Sequence, residues 1–271
     1  MDSKKYKTIL TKDGYLLNKE KFTKKELDAI KNELTVQPQL SYSIGIKNNL
    51  EKFNVYKENE EYLSIPKFYG ISRIGKPELN DEITGTIIDF NFNGNLRPLQ
   101  QDIVKQVLEH MKKNDGGGIC VGCGSGKTVM GINISNTLKV KTLVIVHKTF
   151  LLNQWKERFE QFTDAKVGTI QQNKIDTDGK DVVIGMLQSI AKEKYDLDIF
   201  RDFGLVIFDE AHHAPSKFFS RALPLISCKK TLFLTATPKR SDKLEKVLYW
   251  YFGDIIYKSP PNQNQNVLVK I

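Results

Sequence analysis

The 271-residue chain is short of cysteine, with three (Cys120, Cys123, Cys228), and of histidine, with four. Three cysteines give neither a disulfide framework nor a set of metal ligands. Long apolar runs are also missing, and nothing approaches the ~20 residues needed to span a bilayer. The N-terminal stretch MDSKKYKTILTKDGY lacks the apolar core of a signal peptide. No internal repeat and no low-complexity stretch occurs. These absences exclude a disulfide-stapled secreted domain, a membrane-spanning protein and a fibrous or disordered chain. A soluble α/β protein of a reducing, intracellular compartment is expected, with length enough for one large or two modest domains.

Charge is unevenly placed. The net charge is +9. Residues 1–93 hold 15 Lys and Arg against 14 Asp and Glu, and the remainder holds 26 against 18. The basic excess lies in the second part and suits a polyanionic partner, although Lys-rich coding would give the same excess.

That second part contains GCGSGKT, Gly122 to Thr128. ICVG before it reads as a buried strand, and MGINISNTLK after it reads as a helix. Strand, glycine loop and helix in this order form a phosphate-binding loop. Gly122, Gly124 and Gly126, with Cys123 and Ser125 between them, let the backbone turn its N–H groups toward phosphate oxygens. The helix adds the positive end of its dipole. Lys127 is expected to reach the β- and γ-phosphates of ATP, and the Thr128 hydroxyl to help hold Mg²⁺. Val121 stands where the general pattern has glycine. The bland alternative is a glycine-rich turn that binds nothing.

The first ninety-odd residues read as a small α+β accessory unit, 1–93. Thr23 to Glu26 is a capping-box pattern, with Leu27, Ile30 and Leu34 at helical spacing, so a helix is predicted over 23–35 and Pro38 is expected to end it. YSIGI, FNVY, YLSIP, KFYGI and GTIIDF then read as short strands. Their aromatics (Phe53, Tyr56, Tyr62, Phe68, Tyr69) suit core packing better than base stacking. Pro98 is placed as the first residue of a helix whose apolar stripe is Leu99, Ile103, Val104, Val107, Leu108 and Met111. From Gly118, strands and helices alternate: ICVG, TLVIVH, a helix near 149–162, KVGTI, DVVIG, LVIFD, TLFLTA and a helix from about Asp242. That alternation predicts a mainly parallel sheet covered on both faces, over 94–258.

Asp209-Glu210-Ala211-His212 closes the apolar strand LVIFD. Ligand-binding residues of open α/β sheets lie beyond the carboxyl ends of strands, where this quartet falls. Asp209 is expected to hold Mg²⁺ through its water shell, and Glu210 to position and polarise the water that attacks the γ-phosphate. His212 is read as a coupling residue. His213 beside it has no second ligand pair at zinc spacing, so no structural zinc is expected. Thr235 and Thr237 end TLFLTATP and are placed to hydrogen-bond the acidic quartet.

GCGSGKT, DEAH and TATP, in this order, resemble motifs I, II and III of superfamily 2 helicases, which implies a RecA-like lobe. LRPLQ, Leu96 to Gln100, resembles the first segment of the XPB-type branch. The resemblance implies that Gln100 reads the adenine edge, with Arg97 beside it. VHKTFLLNQW and IGMLQS resemble motifs Ia and Ib, which implies that Lys148, Gln154, Gln188 and Ser189 line a nucleic-acid track, while Trp155 suits the core equally well. TATPKRSD and the N-terminal block are similar to large-DNA-virus helicases related to the poxvirus transcript-release helicase. That likeness implies DNA as substrate, contact with the transcription machinery and a virion or host-cytoplasm location, and the resemblance to XPB-type enzymes implies an accessory unit that contacts DNA.

The family carries a second RecA-like lobe with an arginine finger, and the 271 residues hold no Q-x-x-G-R-x-x-R run. Residues 259–271 are therefore expected to begin the connection to that lobe, and this chain alone to bind ATP–Mg²⁺, hydrolyse it poorly and leave duplexes intact. Two rival readings are a nucleic-acid-binding module that binds ATP without turnover, and the translocase of a restriction or repair complex.

Overall fold

The computed structural model describes residues 3–39, 51–192, 195–213, 216–237 and 242–260. The YSIGI run, residues 238–241 of TATPKRSD and nearly all of the expected connection at 259–271 lie outside them.

After a short 3-10 turn at Ser3–Lys5, the first two strands form a hairpin, β1 (Thr8–Thr11) and β2 (Gly14–Asn18), turned at Lys12-Asp13. Helix α1 (Lys24–Glu33) follows, with the Thr23–Glu26 capping box formed in both directions. It ends at Glu33, five residues before Pro38, where Leu34 caps it and the β-branched Thr35 opens β3 (Thr35–Val36). Short strands β4 (Phe53–Asn54), β5 (Lys57–Glu58) and β6 (Tyr62–Ile65) come next. KFYGI, expected as a strand, forms helix α2 (Lys67–Arg73), and Pro66 sits at its N-cap. Five apolar-rich residues do not separate the two periodicities. Strand β7 (Leu79–Asn80) completes a five-stranded sheet ordered β5-β6-β2-β1-β7. GTIIDF forms no strand; Ile87 makes only an isolated bridge to Val140.

Helix α3 (Pro98–Asn114) starts at Pro98 as expected, and Ile103, Val104, Val107 and Met111 are buried. Leu99 departs from the predicted stripe and is exposed. The glycine run after this helix belongs to strand β8 (Gly116–Cys120). Glycine serves there because the neighbours leave no room. A Cβ on Gly118 would lie 2.0 Å from the Phe233 ring, and one on Gly116 2.3 Å from Phe68 and from the Thr231 hydroxyl.

The rest alternates as predicted: α4 (Lys127–Leu138), β9 (Thr142–Val146), α5 (Thr149–Phe162), β10 (Val167–Gln171), β11 (Lys174–Asp176), β12 (Val182–Met186), α6 (Leu187–Lys192), β13 (Leu205–Asp209), β14 (Lys230–Thr235), α7 (Glu245–Phe252) and β15 (Ile255–Lys258). The eight-stranded sheet runs β11-β10-β12-β9-β13-β14-β8-β15, and only the edge strand β11 is antiparallel.

Both faces of this sheet are buried, and the period of two divides the strands between them. Leu205 and Ile207 of β13 pack with α3, α4 and α5, whereas Val206 and Phe208 face the opposite core. That second core is continuous with the apolar side chains of the five-stranded sheet, including Tyr15, Leu17, Leu63 and Tyr69. A polar staple joins the same two parts. Lys67 Nζ of α2 is 2.6 Å from Glu82 Oε1 and donates to the Lys229 carbonyl at 2.9 Å. Both side chains of the ion pair are about 5% exposed or less. Burial lifts the Glu82 carboxyl above its ordinary pKa, and Lys67 pulls it back.

Candidate nucleotide site at the carboxyl edge of the parallel sheet

Three adjacent parallel strands, β8, β14 and β13, end at the same edge of the sheet. They deliver GCGSGKT, Thr235 and Asp209-Glu210 respectively.

Gly124 (φ 75°) and Gly126 (φ 83°) adopt the left-handed conformation, which glycine enters without a Cβ penalty. Gly126 is the N-cap of α4, and no side chain caps that helix. The first-turn N–H groups therefore have no intrahelical partner and face the loop. Arg97 Nη2 and Gln100 Nε2 each donate to the Ser125 carbonyl at 2.9 Å. Gln100 Oε1 also accepts from the Arg97 N–H at 2.9 Å, so this buried side chain caps α3 and braces the loop together. Gly122, Cys123 and Gly124 are exposed, and Ser125 and Thr128 are half-buried.

Lys127 is buried. Its Nζ donates to the carbonyls of Val121 (3.3 Å) and Gly122 (3.4 Å) and lies 3.8 Å from Glu210 Oε1. Glu210 itself has φ 50°, a strained setting for a residue with a side chain. Its carboxylate meets His212 Nδ1 at 3.3 Å, and that nitrogen also lies 3.3 Å from Thr235 Oγ1. The Thr235 hydroxyl in turn accepts from the Thr237 N–H at 3.2 Å. The histidine contact, with Lys127 assisting against desolvation, holds the Glu210 carboxyl below its ordinary pKa. Burial raises that of Asp209, and a hydrogen bond from Trp155 opposes the rise.

That last contact was not legible in the sequence. Trp155 is wholly buried on α5, and its indole N–H donates to Asp209 Oδ2 at 2.8 Å. Gly131 of α4 makes room for the ring, since a Cβ there would lie 2.9 Å from it. The expected consequence is specific: Trp155→Phe keeps most of the packing but leaves the buried carboxylate one donor short. Titration of Mg²⁺ against nucleotide binding should show affinity weakened about tenfold, as for other losses of a group that orients a metal-binding residue.

The residues assigned to a nucleic-acid track separate into two kinds. Lys148, at the N-cap of α5, Gln154 and Gln188 are exposed, and the Gln188 side chain donates to the His147 carbonyl. Ser189 is buried, and its hydroxyl accepts from the Gln172 N–H at 2.9 Å, which makes it a brace. Among the described residues, no three His, Cys, Asp or Glu side chains gather as a metal site, and no helix is long and apolar enough to cross a membrane.

A glycine loop leading into a helix N-terminus, a buried lysine, and an Asp–Glu pair at the end of a nearby parallel strand define a P-loop lobe of the RecA type. The donor set fits a magnesium nucleoside triphosphate: backbone N–H groups and a cation for phosphate, and a carboxylate with a hydroxyl for the ion.

The family model described as "Type III restriction enzyme, res subunit" matches residues 93–240, more than half of the chain, and the chain belongs to that family of superfamily 2 helicase domains. It is 37% identical to "Putative ATP-dependent RNA helicase L396" of Acanthamoeba polyphaga mimivirus, over 97% of this chain and 51% of that protein. It is 33% identical to "DNA 3'-5' translocase XPB2" of Sulfurisphaera tokodaii, over 60% of this chain and 35% of that protein. The chain thus spans about half, or less, of these relatives. The crystal structure of the UvsW helicase from bacteriophage T4 shares the fold, with a TM-score of 0.61 at 17% identity, covering 88% of this chain and 94% of that one.

Proposed function

We propose that this chain binds ATP with Mg²⁺ and couples hydrolysis of the γ-phosphate to a grip on nucleic acid, DNA in preference to RNA. The observation that carries the reading is the convergence of Lys127 and Glu210 to 3.8 Å, with Glu210 linked through His212 to Thr235. Lys127 and the first turn of α4 bind and orient the phosphates. Asp209, held by Trp155, and Thr128 hold the metal ion, which when bound neutralises charge on the phosphate oxygens. Glu210, ionised at neutral pH, accepts the proton of the attacking water. His212 and Thr235 connect that carboxylate to the end of β14, and so to whatever contacts the same edge of the sheet. In this reading Gln100 and Arg97 stand beside the adenine as well as bracing the loop.

The relatives' names divide over substrate, RNA in one and DNA in the other. DNA is favoured here through the likeness to the XPB-type branch, and a place in viral transcription through the likeness to large-DNA-virus helicases. The test is equilibrium binding of a fluorescent ATP analogue and of labelled single-stranded DNA, duplex DNA and RNA. Mg²⁺-dependent nucleotide binding that Lys127→Ala abolishes, together with DNA affinity that changes when nucleotide binds, is the expected result. Nucleotide binding with no effect on any nucleic acid would replace the motor with a binding module.

A further inference from the structure

Resting on the reading of a nucleic-acid track, we propose that Phe150 is a base-stacking platform in that track, which makes the surface selective for single strands. Helix α5 buries Leu151, Leu152, Trp155 and Phe159 against the sheet. Phe150 lies outside that face and is 61% exposed, against 40% for Phe218, the other exposed phenylalanine among the described residues. Its surroundings are polar: Lys148, Thr149, Asn153 and Gln154 are all exposed. Gln154 is four residues further on, so it shares the ring's face of the helix.

A lone ring among polar groups is not the apolar patch that a protein partner would cover. It fits a flat, sequence-independent π surface. Lys148 Nζ lies 5.8 Å from the ring centroid, so a cation stands beside the aromatic face. A nucleotide offers both counterparts, an anionic phosphate for Lys148 and a base for Phe150. The bases of a duplex are already stacked and present phosphates and groove edges instead. Lys148 therefore serves either form, and Phe150 serves only the unpaired one.

The experiment is fluorescence polarisation with a fluorescein-labelled oligothymidylate and with a labelled duplex, using wild type, Phe150→Leu, Phe150→Tyr and Lys148→Ala. Phe150→Leu is expected to weaken single-strand binding by about 5- to 100-fold, the range of one lost stacking contact, and to leave duplex binding unchanged. Phe150→Tyr should retain the single-strand affinity, and Lys148→Ala should weaken both forms. If Lys148→Ala weakens binding and Phe150→Leu does not, or if Phe150→Leu weakens both forms equally, the stacking role is wrong and the track stands. If neither variant changes either affinity, the track itself is wrong.

Discussion

Glu210→Gln is expected to lower the rate of ATP hydrolysis by about 10²–10⁴-fold while nucleotide still binds. The amide keeps the size of the side chain and its hydrogen-bonding reach but cannot take a proton from water. It also removes the negative charge that faces Lys127 at 3.8 Å, so phosphate binding should tighten rather than weaken. Single-turnover hydrolysis and equilibrium binding, measured on one preparation, separate the two effects. A variant that hydrolyses normally would transfer the catalytic role from Glu210 to another group. Lost binding would instead mean that the strained backbone at Glu210, φ 50°, had collapsed into a different turn.

The second large effect concerns stability. Lys67→Ala is expected to cost about 3–5 kcal/mol, because it leaves the Glu82 carboxylate buried without its cation. For a chain of this size that corresponds to a fall in Tm on the order of 10 °C. The lysine also satisfies the Lys229 carbonyl just before β14, so its removal loosens α2 from the sheet it packs against. Removing the pair together, with Lys67→Met and Glu82→Leu, should recover most of the loss. Thermal melts of the single and double variants decide the matter: equal melting temperatures for wild type and Lys67→Ala would show that the staple contributes nothing.

These two cases differ in how far the sequence foretold them. Glu210, Lys127 and Asp209 were legible because phosphate chemistry imposes fixed residue types at strand ends, and the strands that carry them are apolar throughout. TLVIV and LVIFD are buried on both sides, which is what a continuous apolar run means in a parallel sheet. The Lys67–Glu82 staple was not legible, since two charges fifteen residues apart say nothing of their burial. Trp155 likewise looked like core, and it is core, yet one indole nitrogen sets the orientation of Asp209.

Errors fell where a local pattern was short or a residue type was used against its habit. The hairpin at Thr8–Asn18 has Asp13-Gly14 as its one turn signal, between strands too short to show an alternating pattern. KFYGI was too brief to show a helical period. The glycines at 116–118 usually weaken a strand, and here they are what lets aromatic rings close over it. The brace that the Gln100 amide forms between α3 and the phosphate loop had no signal of its own in the sequence.

Strand β8 has a consequence for how the molecule is made. Its two partners, β14 and β15, come from residues 230–235 and 255–258, more than a hundred positions later in the chain. During synthesis the strand that carries the phosphate loop therefore waits, unpaired, while β9, β12 and β13 emerge and align. Contacts so distant in sequence close late and slowly. Three glycines in a row have no side chains of their own to hold the ribbon until then. The nucleotide loop is thus among the last parts of the lobe to acquire its shape, and a nascent chain cannot engage ATP before that sheet edge has closed.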